Sequence, residues 1–444
     1  MQSFRLWIVI VLGSLSIVGG CSSSGGGRAA EVPNVTVPAL RRSSVQKIQH
    51  VVILIQENRT VDNLFNGFPG ANTVKTGRIH TGQTIALRKT QLASVLSPRN
   101  GYPQFLTAYD NGKMDGFDLN SVEGHSGKYV YEYVNPFDVK LYWDIAKQFV
   151  LADNTFQTQG SGSFTAHQDL IAGGTRINDT QALIDFPSAM PWGCDAPSGT
   201  TTALITTSRK YLPVPAGPFP CLTYKTLRDL LDPSGVSWKY YAPTDGFAGN
   251  IWNAFDAIHA VRDGPQWKTN VSVPANALTD IAAGKLASVV WLCPEFTNSD
   301  HPGSGSDTGP SWVAQVVNAI GKSEYWSSSA IIVVWDDWGG FYDHVPPQQL
   351  DYQGLGFRVP MLIVSPYAKK GYVSHTRYEF GSVVKFVEET WKLGQLGRTD
   401  GRANSINDAF NFNQSPRPFV PFQAKYSRSF FLNQRPSHHA LDDE

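Results

Sequence analysis

Four continuous apolar runs mark the chain: Val51–Ile55, Ala287–Leu292 leading into Cys293, Ile331–Trp335 and Val359–Val364. Each is rich in β-branched residues, and none alternates with polar positions. A strand with one wet face alternates, so an unbroken run predicts a strand buried on both faces. Between the second and third runs, Pro310 to Ile320 carries Pro in its first turn and Gly321 just past its end. That punctuation predicts a helix. A further helix is predicted near Ser382 to Glu388. Strand, helix and strand at this spacing predict an α/β fold, a three-layer α/β/α sandwich around a mainly parallel sheet.

The stretch 181–285 breaks the pattern. It is rich in Pro, Gly, Ser and Thr, with short strand-like pieces such as Trp238-Lys239-Tyr240-Tyr241. It is expected to be an irregular or β-rich cap inserted over the sheet, dividing the core into 45–180 and 286–411. Residues 412–444 are Pro-rich and expected to be an irregular tail. There is no internal repeat and no heptad run.

At the other end, an apolar run from Leu6 to Val18 follows a single Arg5. It is short for a membrane span and reads as the core of a signal peptide. Val18-Gly19-Gly20-Cys21 resembles a bacterial lipobox. Residues 1–21 are therefore expected to be a lipoprotein signal peptide, with a lipid on Cys21; a plain secretory signal is the alternative. Residues 22–44 are expected to be a flexible linker. The implied location is an exported bacterial lipoprotein, anchored to a membrane, periplasmic or at the cell surface.

Charge changes the picture only by exclusion. The chain has 37 basic and 37 acidic residues, a balance that argues for no nucleic-acid partner. Three cysteines follow Cys21. In an oxidising compartment an odd count leaves one unpaired. Cys194 and Cys221 could staple the Pro/Gly-rich stretch and Cys293 ends a buried run; all three being free is the other reading.

Ligands of an open parallel sheet gather beyond the carboxyl ends of its strands. After the first run comes Gln56-Glu57-Asn58-Arg59, and after the third Asp336-Asp337-Trp338-Gly339-Gly340. Glu57, Asn58, Asp336 and Asp337 would form an oxygen-rich site suited to a hard divalent cation. Neighbouring Asp residues on an extended strand point apart, so both can face one ion only if the chain turns there; otherwise the pair is a solvated turn. Gly160-Ser161-Gly162-Ser163-Phe164 is a small setting for a nucleophile, with Ser163 as the attacking hydroxyl activated by a metal and Ser161 as a rival. His301 and His344 could bind phosphoryl oxygens or protonate a leaving group. His50, His167, His259 and His375 are expected to be ordinary hydrogen-bonding histidines.

Longer motifs carry a family resemblance. Ile48-Gln49-His50-Val51-Val52-Ile53-Leu54-Ile55-Gln56-Glu57-Asn58-Arg59-Thr60-Val61-Asp62-Asn63-Leu64-Phe65 resembles the opening motif of the bacterial phosphoesterase family, which includes phospholipases C and an acid phosphatase. Ser299-Asp300-His301-Pro302, then Val334 to Pro347, then Gly356 to Ala368, are similar to its later motifs and occur in order. The resemblance implies an alkaline-phosphatase-like core. It implies one divalent metal held by Glu57, Asn58, Ser163, Asp336 and Asp337, with Ser163 as nucleophile and a phosphate ester or phospholipid as substrate. Ser163-Phe164-Thr165-Ala166-His167-Gln168 is similar to a branch reading Ser-Phe-Pro-Ala-His-Gln. Thr165 departs from its Pro, and Ser161-Gly162 from its usual Gly-Pro. Those departures motivate a second reading, a lipid-anchored binding or scaffold protein without turnover. Trp192, Trp238, Tyr240, Tyr241 and Trp252 are expected to be candidate walls of a choline pocket, or else packing aromatics.

Overall fold

The structure is a computed structural model and describes residues 47–120, 122, 124–243, 246–437 and 439. The expected signal peptide, Cys21 and the linker lie outside the described residues. Among the described residues, no helix is long and apolar enough to cross a membrane.

The central sheet is built from β1 (His50–Gln56), β2 (Val150–Phe156), β3 (Trp238–Tyr241), β4 (Val271–Ser272), β5 (Val289–Leu292), β6 (Ser329–Trp335), β7 (Arg358–Val364), β8 (Tyr372–Ser374) and β9 (Tyr378–Glu379). Its order is β4-β3-β5-β1-β6-β7-β2-β8, with β9 also paired to β2. All pairings are parallel except those of β7, which runs antiparallel between β6 and β2. The runs behave as their patterning demands: β6 and β7 are buried at every position, and β1 at every position after His50.

Register proves the three layers. Ile53 of β1 is opposite Trp291, and Gln56 is opposite Trp335. Residues 53 and 56 are an odd step apart, so the two indoles project from opposite faces. Trp291 Nε1 donates to the Leu170 carbonyl of α2 (Ser163–Ala172), while Trp335 packs edge-on against Tyr142 of α1 (Lys140–Gln148). The predicted helices are α3 (Gly309–Gly321), which packs with α1, and α4 (Phe380–Trp391), which packs with α2. Helices therefore cover both faces.

One expectation changes. The stretch 181–285 is not one cap. Its first part, with Arg176–Asn178, forms a separate four-stranded antiparallel sheet, but Trp238–Tyr241 and Val271–Ser272 extend the central sheet as β3 and β4. Three of the five aromatics expected around a choline pocket, Trp238, Tyr240 and Tyr241, are consequently buried in or against the sheet. The tail also has a structural job. Asn318 exchanges hydrogen bonds with the Phe422 backbone, Gln315 donates to the Tyr426 carbonyl, and Phe422 and Phe431 are buried. Cys194 and Cys221 form a disulfide, and Cys293 is a buried thiol.

Candidate active site at the strand ends

The carboxyl ends of β1, β5 and β6 lie side by side, and the loop after β2 returns to them as the start of α2. Glu57, directly after β1, is fully buried. Asp336 follows β6 and extends the ladder by donating its N–H to the Gln56 carbonyl at 2.9 Å. The chain then turns through Gly339 and Gly340, both at positive φ. At Gly339 a Cβ would lie 2.1 Å from the Asn58 carbonyl oxygen, so only glycine admits the turn against β1. This turn is what lets the adjacent carboxylates serve one site. Asp336 Oδ1 accepts the Asn58 N–H at 2.9 Å; Asp337 accepts the Gly339 N–H at 2.7 Å and the Asn100 amide at 2.9 Å.

Ser163 opens α2 and is buried. Its Oγ donates to Asp337 Oδ2 at 3.1 Å and lies 3.4 Å from Glu57 Oε2. Ser161 is committed elsewhere, its Oγ accepting the Asp185 N–H at 2.7 Å. A Cβ on Gly162 would sit 1.9 Å from the Phe186 ring, so glycine there lets the loop close under that ring and present the next residue.

His167, expected to be a bystander, belongs to this group. It lies four residues after Ser163 on α2, hence on the same helix face. Its Nε2 is 3.0 Å from Glu57 Oε1 and 3.7 Å from Asp336 Oδ2, and its Nδ1 is 3.6 Å from the Cys293 sulfur. Burial pushes the Cys293 thiol up, so it stays a neutral partner. Asn100 was also not anticipated. No local motif marks it; it reaches Asp337 from a loop 237 positions away in sequence.

The donor set fits a divalent cation. Atoms of Glu57, His167 and Asp336 all lie within 4.8 Å of one another. Burial, then repulsion from Asp336, holds the Glu57 carboxyl well above its usual range. Buried carboxylates set against one another are costly, and a hard cation relieves that cost.

His301 lies beside this group. Its ring packs against Phe296 and Trp252, with centroids 5.1 and 6.3 Å away, and Trp252 stacks on His167 at 6.4 Å. Of the expected aromatic set, Trp252 thus borders the site, and the Tyr240 hydroxyl lies 3.5 Å from the Cys293 sulfur. Gly303 N–H donates to His301 Nδ1 at 3.3 Å, which places a neutral ring's proton on Nε2. Asp300, beside it, takes hydrogen bonds from Tyr142 at 2.6 Å and Trp335 at 3.2 Å, yet burial still pushes its carboxyl up to about 6.

His344, the other histidine expected at the leaving group, makes its contacts in a second group. Its Nδ1 is 2.6 Å from Asp62 Oδ2 and its Nε2 is 3.2 Å from Asn72 Oδ1. Asp62, Asp343 and His344 form a second cluster of candidate donors. That cluster already contains a cation: Arg358, at the start of β7, donates to both Asp343 oxygens at 2.8 and 3.0 Å. Because β7 runs antiparallel, its first residue arrives at the same edge as the strand ends.

Fold and site together define a class: an α/β protein with an oxygen-rich candidate metal site and a buried serine at the ends of its parallel strands. The chain belongs to the Phosphoesterase family, whose model matches residues 48–394. It is 25% identical over 452 residues to the Non-hemolytic phospholipase C of Pseudomonas aeruginosa, covering 87% of this chain and 61% of that protein. It is 23% identical over 470 residues to Phospholipase C A of Mycobacterium tuberculosis, covering 90% of this chain and 85% of that protein. Among solved structures, a protein in the alkaline phosphatase superfamily from Vibrio parahaemolyticus matches with a TM-score of 0.40 at 10% identity, covering 83% of this chain and 73% of that one.

Proposed function

We propose that this chain hydrolyses phosphate esters, in the manner of a phospholipase C or an acid phosphatase, through Ser163 and one divalent metal ion. We place it as an exported bacterial lipoprotein held to a membrane by a lipid on Cys21. The observation that carries the reading is the Ser163 hydroxyl resting 3.1 Å from Asp337 and 3.4 Å from Glu57, at the start of a helix. Membership of the Phosphoesterase family and the phospholipase C names of the relatives support the reaction class.

Glu57, Asp336 and Asp337 would hold the metal, with Asn58 and Ser163 beside them and His167 as a further donor or as the clamp on Glu57. When bound, the ion supplies positive charge that favours the serine alkoxide and the charge growing on the phosphoryl oxygens. Ser163 Oγ attacks phosphorus as the bond to the leaving oxygen breaks. The N-terminal N–H groups of α2 face the phosphoryl group with the positive end of the helix dipole. His301, a neutral ring with its proton on Nε2, donates a hydrogen bond to the leaving oxygen as negative charge grows there, and the proton released by Ser163 reaches that oxygen through solvent. Water then cleaves the phosphoserine.

The test is a panel of phosphomonoesters, phosphodiesters and phospholipids assayed with and without chelator, on wild type and on Ser163→Ala. The reading expects chelator-sensitive turnover that Ser163→Ala abolishes. Metal-loaded protein that turns over none of the panel would favour the binding or scaffold alternative.

A further inference from the structure

Segment 88–109 is unusual in composition: it carries Arg88, Lys89 and Arg99 and no carboxylate. Part of it walls a surface groove of about 570 Å³, lined by Arg88, Lys89, Ser94, Val95, Leu96 and Tyr129 among others. Val95 is 78% exposed, and Phe137 at the adjoining turn is 85% exposed. That turn is pinned to the segment. Asn135 N–H donates to the Thr90 carbonyl at 2.8 Å, and Asp138 accepts the Leu92 N–H at 3.1 Å. Arg88 lies over the Tyr129 ring and pairs with buried Glu132 at 3.0 Å, while Lys89 and Arg99 are exposed.

The same segment is tied to the candidate active site. The Ser94 carbonyl accepts the Gly305 N–H at 2.8 Å, close to His301 in the chain, and Arg59 donates to the Leu92 carbonyl at 3.3 Å. Six residues past Ser94, Asn100 holds Asp337.

We infer that this face docks onto an anionic phospholipid surface, with Val95 and Phe137 entering the headgroup layer and the neighbouring cations meeting lipid phosphates. The inference rests on the phosphoesterase reading and deepens it, since it makes aggregated lipid the substrate form. Two apolar tips beside cations, instead of one broad apolar patch, suit a soft charged interface better than a protein partner.

The test uses the full chain with Cys21→Ala, so that no acyl anchor contributes, and Ser163→Ala, so that binding is read without turnover. Sedimentation with vesicles of phosphatidylcholine containing phosphatidylglycerol should capture this protein. Val95→Asp with Phe137→Asp should weaken capture at least about tenfold. Lys89→Glu with Arg99→Glu should weaken it by about fivefold per cation, and only on vesicles that contain phosphatidylglycerol. With Ser163 restored, Val95→Asp/Phe137→Asp should hydrolyse soluble p-nitrophenyl phosphorylcholine within about threefold of its parent, which also shows that it folds. A parent that does not sediment, or an apolar pair captured like the parent, overturns the docking surface. Absence of soluble-ester turnover in the parent overturns the hydrolase reading alone.

Discussion

Two acidic clusters arise from the same two motifs and have opposite characters. Residues 57 and 336–337 build one, and residues 62 and 343–344 build the other. In the second, Arg358 spans Asp343 with two hydrogen bonds and lies 3.8 Å from Asp62. In the first, the partners around the carboxylates include a hydroxyl, an amide, backbone N–H groups and an imidazole. The fold supplies charge balance from its own chain where the acids are a brace. Where they border Ser163, the donor set suits a divalent cation. Both clusters are buried, so burial alone does not separate a structural acid cluster from a chemical one; a bidentate guanidinium marks the one and a serine hydroxyl the other.

The comparison breaks most sharply at the first cluster. Glu57→Gln and Asp336→Asn should each lower turnover about 10⁴-fold, roughly 5 kcal/mol of transition-state stabilisation. Metal content by elemental analysis should fall with it, while the thermal transition survives. Arg358→Met should do the reverse. Removing the cation of a buried ion-paired group costs about 3–5 kcal/mol, so denaturant unfolding should shift strongly while the folded fraction keeps its metal.

Asp300 offers an intermediate case, a buried acid bonded to a hydroxyl and an indole. Its folded carboxyl binds a proton more tightly than an unfolded one, whose value is 3.8. Its stabilising contribution is thus full below about pH 4 and is lost as pH rises through about 6. Asp300→Asn keeps an acceptor for Tyr142 and Trp335. Its stability relative to wild type should improve across that window by about 3 kcal/mol, measured by urea unfolding at several pH values; no pH dependence in the difference would reject the shift.

The histidines give the smaller effects. His301→Gln should slow esters with poor leaving groups about 10²-fold and p-nitrophenyl esters less, because a good leaving group carries its charge with little help from a hydrogen-bond donor. His344→Gln should leave both within about threefold. Equal losses for the two variants would erase the distinction drawn between the clusters.

Much of this was legible in the chain, and the gaps have physical causes. β1, β5, β6 and β7 announce themselves because strands buried on both faces cannot hide polar positions. The reversed direction of β7 was not legible, since side-chain periodicity is the same whichever way a strand runs. β3 was read as part of a cap because it is four residues long inside Pro/Gly-rich sequence, where composition outweighs pattern. Glu57, Asp336 and Asp337 stood out as acids ending apolar runs. His167 was passed over as a lone histidine, although its spacing of four from Ser163 put both on one helix face. His344 drew attention because a histidine beside an acidic motif suggests chemistry, whereas the Arg358 that pairs with its neighbour Asp343 comes from the adjacent strand, β7. Asn100 left no signal short of the fold itself.

The central claim is that Ser163 is the hydroxyl that takes the phosphoryl group. Acid-quenching the metal-loaded protein during turnover of p-nitrophenyl phosphate, followed by peptide mass spectrometry, tests it most directly. The account predicts a phosphoryl group on Ser163, absent after chelation. A phosphoryl group on Ser161 instead, or undiminished turnover by Ser163→Ala, would contradict it.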